Sequence, residues 1–161
     1  MAFAFTDPGH PFSLRRVGVC GSSKGLPPAA AVLCEAFGRR LARDATVIIV
    51  SGGTMQRKSV FGRDDFAAEW WVVSAAQQQI PSERIDGRIV TITKDDDGSS
   101  SRRFRVGSEH RARGKTSEAR RISFVRDLDA LIAIGGGDGT RQELALALEF
   151  GIAILPVPGF G

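Results

Sequence analysis

The chain has only two cysteines in 161 residues, Cys20 and Cys34, and no CxxC or Cys/His spacing. This argues against a disulfide framework or a zinc-ligand set as the organising device, and no metal site is expected. Cys20 falls in an expected buried strand and Cys34 in an expected helix, so both read as small core residues in a reducing compartment. No apolar run reaches the roughly 18 residues a membrane span requires. The N-terminus, MAFAFTDPGHPF, carries an acid and prolines where a secretory signal would be apolar. The expectation is a cytoplasmic protein without membrane attachment. A G-x-x-x-x-G-K-S/T phosphate loop is also absent, and the glycines fit G-x-G-x-x-G poorly. Kinase, NTPase and ordinary NAD-dehydrogenase readings lose their main support.

What is present is ordinary in bulk and unusual in place. The chain is 42% hydrophobic and 25% charged, as expected of one globular domain with a sizeable core. The net charge is +4 and the pI about 9.7. Much of the excess lies between Arg102 and Arg126, where arginines and Lys115 oppose only Glu109 and Glu118. Such a cluster suits a phosphate-bearing ligand or nucleic acid, or is simply a solvated loop. Phe104 is its one interleaved aromatic before the next helix, which counts against single-strand stacking, so a nucleic-acid partner is not expected.

Residues 1–14 read as an arm broken by Pro8, Gly9 and Pro11. The folded domain is expected over 15–161. RRVGVCGSS is a short apolar strand closed by Gly21. PPAAAVLCEAFGRRLARD follows as a helix, with Ala30, Leu33, Cys34, Phe37 and Leu41 at helical spacing. ATVIIVSGG is a second glycine-closed strand. DDFAAEWWVVSAAQQQ reads as a helix with Asp64 and Asp65 at its positive end. Its adjacent Trp70 and Trp71 suggest one core and one interface residue, or two core residues at a wide face. GRIVTITK is a third strand. The polar stretch after it, roughly twenty residues long, is long for an internal connection. TSEARRISFVRD is a helix capped by Thr116 or Ser117, LDALIAIGG a fourth strand, the segment after it a helix, and IAILPVPG a fifth strand.

Continuous apolar strands alternating with helices indicate a parallel sheet covered on both faces. With right-handed crossovers this is an α/β, Rossmann-like, doubly wound fold. Its ligands bind at the carboxyl ends of the strands. Three glycine-marked ends should converge there: Gly21, Ser22 and Ser23; Gly52, Gly53 and Thr54; and Gly136, Gly137, Asp138, Gly139 and Thr140. Glycine lets a ligand approach the backbone, and free amides at a helix start favour an anion. Thr140 and Glu143 carry two readings. T-x-x-E is a capping box, in which each side chain bonds the other's amide. Alternatively, Glu143 holds a ribose hydroxyl or acts as a catalytic carboxylate.

The segments VGVCGSS, VIIVSGG, RRISFVRDLDALIAIGGGDGTRQELALALEFG and ILPVPG together resemble the SLOG superfamily over about residues 15–161. That group includes the LOG "lysine decarboxylase-like" enzymes, the Smf/DprA proteins and the STALD sensor branch. The chain is most similar to the STALD branch, in its looser glycine motif and in ILPVPGFG. That resemblance implies a sensor that binds an NAD-derived nucleotide, of ADP-ribose or cyclic ADP-ribose type, in bacterial anti-phage defence. It also implies ligand-promoted assembly into a homo-oligomer, dimer or tetramer, and a linked or separate TIR or Sir2 effector. The chain would then be a sensor cut from a larger effector or a compact stand-alone member. Arg121 would pair with phosphate, Glu143 would hold a ribose hydroxyl, and no cofactor beyond the nucleotide ligand is implied. The LOG resemblance implies instead a phosphoribohydrolase of nucleoside 5′-monophosphates, with Arg121 and Glu143 catalytic. The LOG hallmark PGGxGTxxE lacks its proline here, and ARRISFV stands where LOG enzymes have an arginine-lysine pair. The DprA relationship implies a third alternative, nucleic-acid binding.

Overall fold

The structure is a computed structural model, described here over residues 14–22, 26–53, 56–58, 64–94 and 104–157. The expected arm up to residue 13, Ser23, Thr54 and the start of the polar stretch lie outside the described residues.

The elements are β1 (Arg15–Gly21), α1 (Pro28–Arg43), β2 (Val47–Ser51), β3 (Gln56–Lys58), β4 (Asp64–Phe66), α2 (Ala68–Gln77), α3 (Ile85–Arg88), β5 (Ile89–Thr93), β6 (Ser108–Arg111), α4 (Ser117–Arg126), β7 (Ala130–Ile134), α5 (Asp138–Glu149) and β8 (Ala153–Val157). Six strands form one sheet in the order β6-β5-β2-β1-β7-β8. Every neighbouring pair is parallel. The chain winds outward from β1 through β2 and β5, then returns to the other side of β1 as β7. This is the doubly wound, Rossmann-like α/β fold, with its switch point between β1 and β7.

Strand side chains alternate between two cores. Val19, Ile49, Ile89, Ile132 and Ile134 pack with Cys34 and Ala42 of α1 and with Val72, Val73 and Ala76 of α2. Cys20, Val50, Val90, Leu131 and Ala133 pack with Phe124 and Val125 of α4 and with Ala147 of α5. Burial on both faces is why the strands read as unbroken apolar runs.

Pro28 occupies the first turn of α1, and Arg40 and Arg43 lie in its last turn, where the dipole favours cations. Its fully buried stripe is Ala30, Cys34, Gly38 and Ala42, with Phe37 and Leu41 only partly buried. The buried face is therefore turned from the large residues that the periodicity favoured. Small residues let α1 lie close to α2; a side chain at Gly38 would strike the Val72 carbonyl. Arg88 ties the layers together. Its Nε donates to Val47 O at 2.7 Å, and its Nη2 to Asp44 O at 2.6 Å and Ala42 O at 3.2 Å.

The structure corrects two local expectations and bears on a third. Asp64 and Asp65 do not open a helix: Asp64–Phe66 is a strand paired antiparallel with Gln56–Lys58, and α2 starts at Ala68 with Glu69 in its first turn. The polar stretch is not all loop, because Ser108–Arg111 adds an edge strand to β5. Trp70 and Trp71 both pack, partly buried, against the first core. Phe66 stacks on Trp70 at a centroid distance of 3.8 Å, so neither ring is a free surface aromatic. The Thr116 cap forms as expected, accepting from Ala119 N at 3.0 Å. No helix among the described residues is long and apolar enough to cross a membrane.

Candidate functional site

The carboxyl ends of β1, β2 and β7 bring the glycine turns together. Ser22 N donates to Ile134 O at 3.1 Å, and Ala68 N donates to Ser22 O at 3.1 Å. The first turn is thereby stitched to β7 on one side and to the start of α2 on the other. Thr140 Oγ1 donates to Gly21 O at 3.2 Å, closing α5 onto β1.

That bond settles the question of the capping box. The cap of α5 is Gly137, without a side-chain cap bond, and Thr140 already lies inside the helix. Thr140 and Glu143 are both buried, and their side chains point into the sheet edge instead of back to the helix start. At Gly136, with φ of +123°, a side chain would collide with Thr140. The residue is glycine because the turn is left-handed and the threonine packs on it.

Glu143 meets Arg120. The Arg120 Nη2 to Glu143 Oε1 distance is 3.1 Å, with both side chains about nine-tenths buried. The sequence-based choice of arginine was Arg121. In the fold Arg120 turns inward to the carboxylate, while Arg121 lies beside Gly139, its Nη2 3.6 Å from where a Cβ there would sit. Arg121 also lines a groove of about 450 Å³ between α4 and α5, with Glu118, Gln142, Ala145, Leu146 and Glu149. Adjacent helix positions differ by about 100° in direction, so Arg120 meets the buried carboxylates while Arg121 stands at the third glycine turn.

A second carboxylate went unnoticed in the sequence. Glu69, buried at the start of α2, accepts from Ser51 Oγ at 2.9 Å. The same Ser51 oxygen accepts from Gly53 N at 2.9 Å. The second glycine turn is thus fastened to α2 through one hydroxyl. Gly53 O in turn accepts from Phe104 N at 3.1 Å, which ties the second glycine turn to the polar stretch. Gly52 is where these parts converge: a side chain there would overlap Arg120 Nη1 and lie 3.5 Å from Glu69 Oε2. The signal available in advance was a glutamate immediately preceding two tryptophans on a largely apolar helix.

The electrostatics follow from this crowding. Burial, and after it the Glu69 charge, push the Glu143 carboxyl up to about 7 against the opposing pull of Arg120 and Arg121. The Cys20 thiol lies beside the pair and is driven well above its ordinary value, chiefly by burial and then by Glu143 and Glu69. Arg120 has one partner for a five-donor group: its Nε and Nη1 are buried with no hydrogen-bond partner among the described residues. Unsatisfied guanidinium donors are costly and mark the edge of the group that faces Gly52. Asp138, by contrast, is exposed and pairs with Arg141 at 3.3 Å. Gly137 borders open space.

A parallel sheet whose switch point carries three glycine turns, a buried arginine and two buried carboxylates defines a Rossmann-like domain with a buried polar cluster at the strand ends. No protein-family model matches the chain, and no curated protein matches it. Solved structures do. The chain is similar to TM1055, a structural-genomics target, with 20% identity over 91% of this chain and 76% of that one and a TM-score of 0.65. It is also similar to the molybdenum cofactor binding protein of the phototrophic bacterium Rippkaea orientalis (19% identity, 88% and 75% coverage, TM-score 0.63). A third is the Moco carrier protein of Chlamydomonas reinhardtii (18% identity, 89% and 75% coverage, TM-score 0.61). At these identities the likeness is one of fold, a Rossmann-like α/β fold.

Proposed function

We propose that the chain is a binding domain for a small phosphate-bearing ligand with a nucleotide-like heterocycle, and that an NAD-derived molecule of ADP-ribose type is the preferred member of that class. The observation that carries this reading is the buried Arg120, with two guanidinium nitrogens unpartnered at the meeting point of the glycine turns. A phosphate oxygen is the acceptor that suits such a group. The start of α5, open at Gly137, supplies a second favourable field for an anion. Two structural neighbours are named for binding or carrying the molybdenum cofactor, which supports a ligand-holding role for this fold. The resemblance to the STALD branch supports an anti-phage sensor whose ligand promotes assembly.

Calorimetric titration of the full chain with ADP-ribose, NAD, cyclic ADP-ribose, AMP and the molybdenum cofactor tests it. Binding of at least one, lost more than tenfold in Arg120→Gln with the fold retained, is the expected result. Absence of binding by every compound to folded protein sinks the proposal. Size-exclusion chromatography with and without the bound compound tests assembly.

The LOG-type phosphoribohydrolase reading has one observation in its favour. A carboxyl that titrates near 7 is suited to general acid–base work. Release of free base from AMP, abolished in Glu143→Gln, supports that reading; intact AMP after prolonged incubation removes it.

A further inference from the structure

Fastening the second glycine turn through Ser51 does not by itself call for a charged group at Glu69, and a carboxylate is costly to bury at a site meant for anions. Glu69 Oε2 holds the Ser51 hydroxyl and lies close to Gly52, against which the unpartnered Nη1 of Arg120 also rests. Arg120 therefore has a carboxylate on each side, Glu143 from α5 and Glu69 from α2.

We propose that Glu69 is a specificity-determining residue that makes the binding of a phosphate at Arg120 carry a proton into the site, with Glu143 as its acceptor. This inference rests on the phosphate-ligand reading. The physical reason is local charge. The groups facing Glu143 are Arg120 and Arg121 from α4, Glu69 from α2 and the Cys20 thiol from β1. Two carboxylates and two guanidinium groups balance in the free site. A bound phosphate adds at least one negative charge to a region largely closed to water, where like charges repel strongly. A guanidinium offers only donors and no acceptor for a further proton, and the Cys20 thiol is already neutral. The carboxyls alone can absorb one. Of these, Glu143 is the one bonded to the arginine that the phosphate engages, and it already titrates near neutrality. In its protonated form it keeps one oxygen as acceptor for Arg120 and gains a donor for the ligand.

A site built this way binds a phosphate best while Glu143 can hold a proton, and less well as rising pH removes it. Affinity for a phosphate ligand should fall about tenfold per pH unit above about pH 7, the direction expected when binding takes up one proton. Without Glu69 the penalty disappears.

The test is titration of the full chain with ADP-ribose and with AMP at about pH 8 in two buffers of different ionisation enthalpy, from which the number of protons taken up is read. The expected uptake approaches one for wild type and falls below about a third in Glu69→Gln, whose affinity should vary less than threefold between about pH 6.5 and 8. Ser51→Ala, which removes the Ser51 hydrogen bond from the Glu69 carboxylate, serves as a second variant and should shift the uptake. Each variant is compared at matched folded fraction by circular dichroism. Binding without proton uptake in wild type, or uptake unchanged in both variants, overturns this inference and leaves the phosphate reading intact. No binding of either compound overturns this inference, and no binding of NAD, cyclic ADP-ribose or the molybdenum cofactor as well overturns the phosphate reading with it.

Discussion

Three glycines that look alike in sequence do different things at the residue scale. Gly21 is held against backbone: a side chain there would meet the Ile134 carbonyl and the Ala68 methyl. Gly52 is held against the end of a flexible side chain, Arg120. Gly137 borders open space. The consequences of adding one methyl therefore separate. Gly21→Ala forces β1, β7 and α2 apart and should cost about 3 kcal/mol in urea unfolding, the upper range for overpacking. Gly52→Ala should cost about 1 kcal/mol, because Arg120 can swing aside. It should nevertheless weaken phosphate-ligand binding more than tenfold, since the displaced guanidinium is the ligand's partner. If Gly52→Ala binds like wild type, Arg120 is not positioned by that contact. The two cysteines give a simpler check. Cys20 is fully buried, and burial lifts the Cys34 thiol to about 11. Both should react with a thiol reagent only when the chain unfolds. Fast labelling of either in native conditions contradicts the packing described.

At the element scale, the strands and the long helices were legible because their signals are local and redundant. VIIVS and ALIAI are apolar on both faces, and α1 has proline at its start and arginines in its last turn. What escaped was decided by tertiary contact. DDF is a strand only because Gln56–Lys58 lies beside it, and SEHR is a strand only because β5 offers an open edge. Neither has an apolar pattern of its own. The convergence of the glycine turns could be reasoned from the alternation of strands and helices. The inward arginine could not, since Arg120 and Arg121 are neighbours of identical chemistry. T-x-x-E misled for a related reason: the capping motif is sound, but α5 starts two residues before Thr140, and burial turned both side chains to other partners. Arg88 shows the same dependence on tertiary context. It is a single residue of a four-residue helix, yet it satisfies carbonyls at the end of α1, in the turn after it and on β2. Arg88→Ala should lower unfolding free energy by about 2 kcal/mol, in the range for a lost charged hydrogen-bonding group. Arg88→Lys, with one donor head in place of a fork, should recover less than half. A chemical-denaturation midpoint unchanged in Arg88→Ala rejects the clamp.

At the scale of the whole molecule, the sheet ends in two differently protected edges. β6 carries Glu109, His110 and Arg111 outward, and β8 includes Pro156; charge and proline both discourage pairing with another chain. Between those edges the least ordinary feature is the charge buried at the switch point, and it should be visible in the stability of the entire fold. Glu143 takes its proton at about 7 when folded, against 4.5 ordinarily. Between those values the folded chain binds more protons than the unfolded one, so stability falls as pH rises through that window and levels off above about 7. Below 4.5 the carboxyl is protonated in both states and the contribution is fully present. The separation sets an upper bound of about 3 kcal/mol, since each pK unit is worth about 1.4 kcal/mol. Other carboxyls act elsewhere: Asp44 is held below its ordinary value by Thr46, so its effect lies at still lower pH and has the opposite sign. The measurement is therefore a difference, wild type minus Glu143→Gln, from urea unfolding across about pH 4.5 to 8. The glutamine variant carries a constant offset from its altered bond to Arg120, and the slope of the difference carries the information. A difference that declines with rising pH and flattens near 7 places the titrating carboxyl in the buried cluster. A difference that is flat, or that rises with pH, means that Arg120 outweighs burial and Glu69 and keeps Glu143 ionised, and that the site holds its charge without exchanging protons.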